Sequence, residues 1–332
     1  MQTRKGTEGG DGGHAAPVSG VRAIFAADIH LQAIVPVVRA GEPDWFEAMA
    51  RPLQELARLA AMHDDAPIIY AGDIFNTWDA RPEVINFALA NLPPGYAIPG
   101  QHDLPNHSYD EIKRSAYWTL VKAGCLTNIP PAGYVVLERA GVVAHGFPWG
   151  FPPVPKAYHI TGLLDKYFEG MLDVAVVHQF IYTKGTGYPG APVSATVSAR
   201  AAGLAGYAVA VYGDNHRGFI HPGAPTIYNC GGFMRRDKSE RAARPGVGLL
   251  HADGTVTKHH FDTTAEVFAE MSAAEEAVAK VLNMGAFVDG LQGLESDDAL
   301  DFITALERFI QENDVPPRVV EIMLQASEGA IK

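Results

Sequence analysis

At 332 residues, with 47% of them hydrophobic and a net charge of −12, the chain is long enough for one large domain plus an appendage, and its average charge excludes a polyanion-binding surface spread over the whole protein. No apolar run reaches the roughly 18 residues that span a bilayer, the opening MQTRKGTEGGDGGHAAPVSG has no hydrophobic leader, and Cys125 and Cys230 stand outside any CxxC spacing, so the expectation is a cytoplasmic protein with two reduced thiols and no membrane partner. The acidity is uneven: residues 263–332 hold fourteen acids against four bases, a balance of −10 that leaves −2 for everything before them.

Residues 1–20 are Gly-rich and nearly free of large apolar side chains, the composition of a disordered tail. From Val21 the pattern changes. VRAIFAA is an apolar run ending on an acid, and residues 45–62 place Phe46, Met49, Leu53, Leu56 and Leu59 at helical spacing. PIIYAGD repeats the run that ends on an acid. A helix is predicted over 82–92, a strand at YAIPG, a helix over 111–123, and a hairpin in YVVLERAGVVAHG turning near Ala140 and Gly141. In the second half LDVAVVH reads as a strand, 197–204 as a helix and YAVAVYGD as a strand. TIYNCGG, GVGLLHADG and TVTKHHF then follow as strands without helices between them, which predicts a more antiparallel part of the sheet system. Alternating strands and helices make the chain α/β.

After Asp262 the composition turns to Ala, Glu and Leu, with helices expected over 265–282, 297–313 and 316–325. The expected organisation is a tail at 1–20, a main domain at 21–262 and an acidic helical appendage at 263–332. In the appendage Leu300, Ile303, Leu306 and Phe309 lie opposite the acids, a stripe that packs on the main domain or docks a protein partner.

Acids and histidines close the apolar runs: Asp28 and His30 in FAADIH, Asp73 in YAGDIFN, His102 in PGQHD, His178 in VVHQF, and Asp214 and His216 in YGDNHRG. Strand ends share one rim of a sheet, so side chains far apart in sequence can meet there. Carboxylates and imidazoles suit Mn, Fe or Zn, and two such ions about 3.5–4 Å apart clamp a phosphoryl group and activate water. Singly these motifs say little, because DxH arises by chance and a lone His after a strand is more often a hydrogen-bonded structural residue. Their order, each after an apolar run, is the specific signal.

In that order the sequence resembles the calcineurin-like metallophosphoesterase family, whose pattern runs DxH, GDxxD, GNH(D/E), H and GHxH, over roughly Val21 to Asp262. The resemblance implies a two-sheet β sandwich flanked by helices and two divalent metal ions. It assigns Asp28, His30 and His216 to the first metal, Asp73 as the bridge, and Gln101, His178 and Asp214 to the second. His102 would face the substrate, stabilise the phosphoryl oxygens and protonate the leaving oxygen. Three positions depart from the pattern. Gln101 stands for the usual Asn and Asp214 for the first His of GHxH, which enriches the second site in oxygen and favours Mn²⁺ or Mg²⁺ over Zn²⁺, with Fe²⁺ also compatible. Asn76 stands where many members have the Asp that orients the catalytic His; its side-chain carbonyl is expected to take over that contact, with Asp103 supplying the charge.

Within the family, AGDIFN, IPGQHDLPNH, GDNHRGF and YNCGGFMRR resemble SbcD-type DNA repair exonucleases, including phage-like versions. That likeness implies metal-dependent cleavage of DNA phosphodiesters, with DNA as the partner. Two other readings stay open: a small-molecule or cyclic-nucleotide phosphodiesterase, and a metal-binding scaffold with degraded catalysis. Arg217, Arg235, Arg236, Lys238, Arg241 and Arg244 cluster after the last motif, either as a solvated loop or as cations that track phosphates. His107 and Tyr109, close after the HD motif, are expected on a loop surface, with a place lining the cleft the alternative. FPWGFPPVP is expected to pack over a sheet edge, with base stacking the alternative; His145, His159, His251, His259 and His260 have no motif context and read as structural or surface residues.

Overall fold

The structure is a computed structural model that describes residues 20–156, 168–184, 196–199 and 204–269. In chain order it forms β1 (Val21–Ala26), α1 (Trp45–Met62), β2 (Ile68–Ala71), α2 (Pro82–Asn91), β3 (Gly95–Ile98), α3 (Ala116–Lys122), β4 (Leu126–Asn128), β5 (Tyr134–Leu137) and β6 (Val142–Phe147). There follow β7 (Leu172–His178), β8 (Phe180–Tyr182), β9 (Thr196–Ser198), β10 (Val209–Gly213), β11 (Phe219–His221), β12 (Thr226–Asn229), β13 (Gly246–His251) and β14 (Val256–His260). The chain clusters into two compact units, Met1–Val35 with Glu42–Glu266 and Pro36–Gly41 with Val267–Lys332, and all of these elements belong to the first.

Two mixed sheets of six strands make the architecture, in the orders β14-β13-β1-β2-β3-β4 and β11-β12-β10-β7-β6-β5. Each has four consecutive parallel strands: in the first, β1 to β4 run parallel out to one edge and β13 and β14 add on antiparallel at the other side; in the second, β12, β10, β7 and β6 are central and β11 and β5 flank them antiparallel. Alternation along the strands explains the layering. Ala23 and Phe25 of β1, with Ala27 just after it, face a core shared with Val174, Val176, Val209 and Val211 of the second sheet, while Ile24 and Ala26 face the helices. There Trp45, Met49, Leu53 and Leu56 of α1 cover Ile68 and Tyr70 of β2. Full burial of each such side chain contributes about 1.5–3 kcal/mol. Helix α1 begins where Asp44 accepts a hydrogen bond from the Glu47 main-chain N–H at 3.0 Å.

Four local expectations change. The helix expected over 111–123 is a 3-10 segment at Tyr109–Arg114 followed by α3, because Ser115 takes extended backbone angles and caps α3 through the Trp118 N–H. Instead of opening a helix, Thr196 and Val197 form β9 beside β8, as β-branched residues favour; 200–203 lie outside the described residues. Strand β11 was not expected, a three-residue edge whose Ile220 is exposed. Residues 266–269 are not helical, and the rest of the expected appendage, like the tail at 1–19, lies outside the described residues.

Candidate metal centre

The parallel strands of both sheets deliver their C-terminal ends to one place. The backbone there is strained: Asp28, His30, Asp73 and Asp214 all adopt positive φ, at 55°, 49°, 54° and 81°. A non-glycine residue held so costs about 1–3 kcal/mol, which surrounding bonds must over-determine. Here they do. Asp28 N–H donates to Gly72 O at 3.0 Å, His30 N–H to Asp73 O at 3.0 Å, and Asp214 N–H to Asp28 Oδ1 at 2.9 Å. Two glycines make the approach possible. A Cβ on Gly100 would sit 2.1 Å from Asp73 Oδ1 and 2.6 Å from His178 Nε2, and one on Gly213, which pairs with His178 across β10 and β7, would meet Ala71 O at 2.3 Å.

Ligand atoms of Asp28, His30 and His216 lie within 4.8 Å of one another, as do those of Asp28, Asp73 and His178, and those of His30, Asp73 and His102. Asp73 is thus common to two groups and Asp28 to two. Gln101 and Asp214 are drawn in by a different route: Gln101 Nε2 donates to Asp214 Oδ1 at 2.9 Å, and Asp214 is anchored on Asp28. The structure therefore brings all eight sequence-derived site residues into one centre. Asp28, His30, Asp73 and His178 are buried, while Gln101, His102, Asp214 and His216 are half-buried and open it to solvent.

Three details show that the residues fit divalent cations. His178 Nε2 and Gln101 Oε1 are buried without a hydrogen-bond partner, although His178 Nδ1 is satisfied by Ala71 O at 2.6 Å and the Gln101 amide nitrogen by Asp214. The unused atoms are the ones a metal would take. His30 Nε2 and His216 Nε2 face each other at 3.3 Å. Burial, with Arg236 and His102 nearby, holds His30 well below the usual imidazole range. Third, the carboxylates crowd one another. Burial pushes Asp28 up to about 6 and also raises Asp214. Burial works the same way on Asp73, but His178 and His102 overcome it and hold this carboxylate at about 2. His178 is raised to about 10 by Asp73 against the cost of its own burial.

Asn76 does not act through its side chain on His102, as expected, but through its main chain: Asn76 O accepts from His102 Nδ1 at 2.9 Å. That fixes the proton on Nδ1 and leaves Nε2 toward the site. The Asn76 side-chain oxygen instead accepts from Arg236 Nη1 at 2.8 Å. Nor does Asp103 supply charge to His102. Fully buried, it accepts the N–H groups of Ile74, Phe75 and Gly100 and braces the two loops that carry Asp73 and Gln101.

Glu240 is the residue that the motif reading missed. Its Oε1 lies 2.7 Å from His216 Nδ1, and its Oε2 accepts the N–H groups of Arg236 and Asp237 at 2.7 and 3.0 Å. The one available signal was an acid in an otherwise basic stretch. Of that stretch, Arg235 is structural, bonded to Glu266 Oε2 at 2.6 Å and to the carbonyls of Arg241 and Thr263, whereas Arg217, Lys238, Arg241 and Arg244 are exposed. The aromatic loop meets the segment after His102 rather than a sheet edge: Trp149 N–H donates to Pro99 O, and its ring meets that of His107 edge-on while Phe151, itself exposed, meets Tyr109. His145 is structural, buried with Nε2 at 2.9 Å from Asp173 Oδ1.

No helix among the described residues is long and apolar enough to cross a membrane. No curated protein matches the sequence. Solved structures similar to it include TT1561 of Thermus thermophilus, at 14% identity over 72% of this chain and 99% of that one with a TM-score of 0.42. The calcineurin-like phosphoesterase YfkN from Bacillus subtilis is similar at 12% identity over 81% and 98%, TM-score 0.37. A putative 5'-nucleotidase from Staphylococcus aureus is similar at 11% identity over 78% of this chain but 57% of its own length, TM-score 0.40. The family model for calcineurin-like phosphoesterases matches residues 21–194, which takes in Asp28, His30, Asp73, Gln101, His102 and His178. With that match over more than half of its length, the chain belongs to the calcineurin-like phosphoesterase family.

Proposed function

We propose that the chain is a two-metal phosphodiesterase that cleaves DNA, with Mn²⁺ as its preferred ion. The observation that carries this reading is the charge around Glu240. The carboxylate that holds His216 sits in a turn flanked by Lys238, Arg241 and Arg244, with Arg217 beside His216 itself, and all four cations are exposed. Exposed cations beside a buried anionic centre suit a phosphate backbone, whose contacts set register without reading sequence. The open His102 and His216 side gives a polymer strand access that a closed pocket would deny. Oxygen donors from Gln101, Asp214 and Asp73 support Mn²⁺ in the second site.

Two divalent ions held by these residues would polarise the phosphoryl oxygens and lower the pKa of a water molecule. The chain itself supplies the rest. Asp73, between His30 and His178, sets the spacing of the two halves. His102, its ring fixed by Asn76 O and its main chain by Asp73 Oδ1 at 3.0 Å, presents Nε2 to the substrate. As an imidazolium it gives the Nε2 proton to the ester oxygen as the P–O bond breaks.

The test is hydrolysis in Mn²⁺ of linear DNA, bis-p-nitrophenyl phosphate and cyclic nucleotides, each with wild type and His102→Ala and each with chelator. DNA cleavage that needs both His102 and the metal is the expected result. Cleavage of the small diester with intact DNA would sink the nuclease reading in favour of a small substrate, and no His102-dependent hydrolysis at all would point to a scaffold.

A further inference from the structure

Arg236 occupies an unusual position. It is half-buried, its main-chain N–H donates to Glu240 Oε2 at 2.7 Å, and its Nη1 donates to Asn76 Oδ1 at 2.8 Å. Glu240 holds His216 Nδ1 and Asn76 O holds His102 Nδ1. Arg236 is therefore tied at one end to the partner of a metal-site histidine and at the other to the partner of the imidazole that faces substrate. Its charge reaches Asp28 and Asp73 on one side and His30 on the other. A guanidinium carries five N–H donors, and among the described residues one of them is used here.

We propose that Arg236 is the side chain that binds a non-bridging oxygen of the substrate phosphoryl group, and that Asn76 keeps it available by bonding it without neutralising it. The inference rests on the proposed phosphoesterase reading of the same site and names its anion receptor. Charge supports it. The Arg236 guanidinium lies close enough to Glu240, Asp28 and Asp73 to feel their charges, and it adds a fixed positive charge to a centre that must accept an anion. Geometry supports it too. The planar fork suits two oxygens of a phosphate, and because Asn76 anchors both Arg236 and His102, the distance between the anion receptor and the proton donor is set by one residue. A carboxylate at position 76 would form an ion pair with Arg236 and cancel the charge on offer.

The experiment compares wild type, Arg236→Gln, Arg236→Lys and Asn76→Asp in Mn²⁺, with the exposed helix residue change Arg58→Gln as a control for net charge. Inorganic phosphate affinity is read by calorimetry, Mn²⁺ affinity by titration, folding by thermal melting, and KM and kcat with bis-p-nitrophenyl phosphate. Arg236→Gln and Asn76→Asp are expected to weaken phosphate binding and raise KM by about 10- to 100-fold, with Mn²⁺ affinity and the Arg58→Gln values unchanged and Arg236→Lys between. Should Arg236→Gln fail to fold, Asn76→Asp, which exchanges one side-chain atom group, decides alone. If wild type binds phosphate and cleaves the diester while Asn76→Asp and a folded Arg236→Gln match it within twofold, the inference is overturned and the proposed function stands. A wild type that neither binds phosphate nor cleaves any diester overturns both.

Discussion

Glu240 Oε1 and His216 Nδ1 lie 2.7 Å apart, a carboxylate behind an imidazole whose other nitrogen faces His30. Burial alone would favour the neutral form of each, yet Glu240 is held down at about 2 by His216 and the main-chain donors around Arg236, and His216 is raised in turn by Glu240. A carboxylate in this position fixes the ring and its tautomer and makes the free nitrogen a better ligand. Glu240→Gln should therefore weaken Mn²⁺ binding by roughly 10- to 100-fold, the usual cost of losing such a partner. Mn²⁺ titration of the purified variant checks this, and wild-type affinity would show that Glu240 merely shapes the turn.

Gly100 leads to a second expectation. A methyl group there would press on Asp73 Oδ1 and His178 Nε2, two buried groups with no space to retreat into. Gly100→Ala should lower stability by about 1–3 kcal/mol through overpacking and reduce Mn²⁺ affinity by displacing the bridging carboxylate. Melting curves and metal titration together measure both effects; an alanine variant that binds Mn²⁺ like wild type would refute the crowding argument.

How far the sequence revealed this centre depends on the range of each contact. Asp28, Asp73, His178 and Asp214 were legible because each closes or closely follows a buried parallel strand, a position the fold sends to one rim. The α/β class followed from the same apolar runs, and the two-sheet sandwich from the family resemblance that the motifs at their ends carry. Glu240 and Arg236 were not legible, because nothing local distinguishes them from Asp237 or Arg241; their roles come from contacts with His216 and Asn76 across the fold. Asn76 misled for another reason. The main-chain carbonyl that holds His102 has no sequence signature, so the visible side chain was credited with work that the backbone does. Short edge strands such as β11 stay below any periodic signal because three residues cannot display one.

The basic turn carries a prediction about salt. If Lys238, Arg241 and Arg244 meet phosphates, removing their charges together (Lys238→Gln, Arg241→Gln, Arg244→Gln) should weaken DNA binding and flatten its salt dependence by about 2–3 units of slope in log K against log salt, since each phosphate contact contributes roughly 0.7–0.9. Fluorescence anisotropy with a labelled duplex and a single strand, repeated at several salt concentrations, measures the slope. An unaltered slope would assign these side chains to solvent.

A last expectation concerns acid stability and lies at the other end of the second sheet. Asp173, at the start of β7, accepts from His145 Nε2 at 2.9 Å and from Lys156 Nζ at 2.6 Å. Burial alone would raise its pKa, but those two partners overcome burial and hold it below the usual carboxylate value. A carboxyl group whose pKa is depressed by folding contributes stability that is complete above its unfolded pKa, about 4, and is lost as pH falls through the lower folded value. Asp173→Asn, which cannot ionise, should melt several degrees below wild type at pH 7, about 4–8 °C for a loss of roughly 2 kcal/mol in a unit of this size. The gap should hold constant down to about pH 4 and then close. Paired melting curves from pH 7 to pH 3 decide it, because a gap that persists unchanged at pH 3 would mean that Asp173 stabilises by shape and hydrogen bonding rather than by charge.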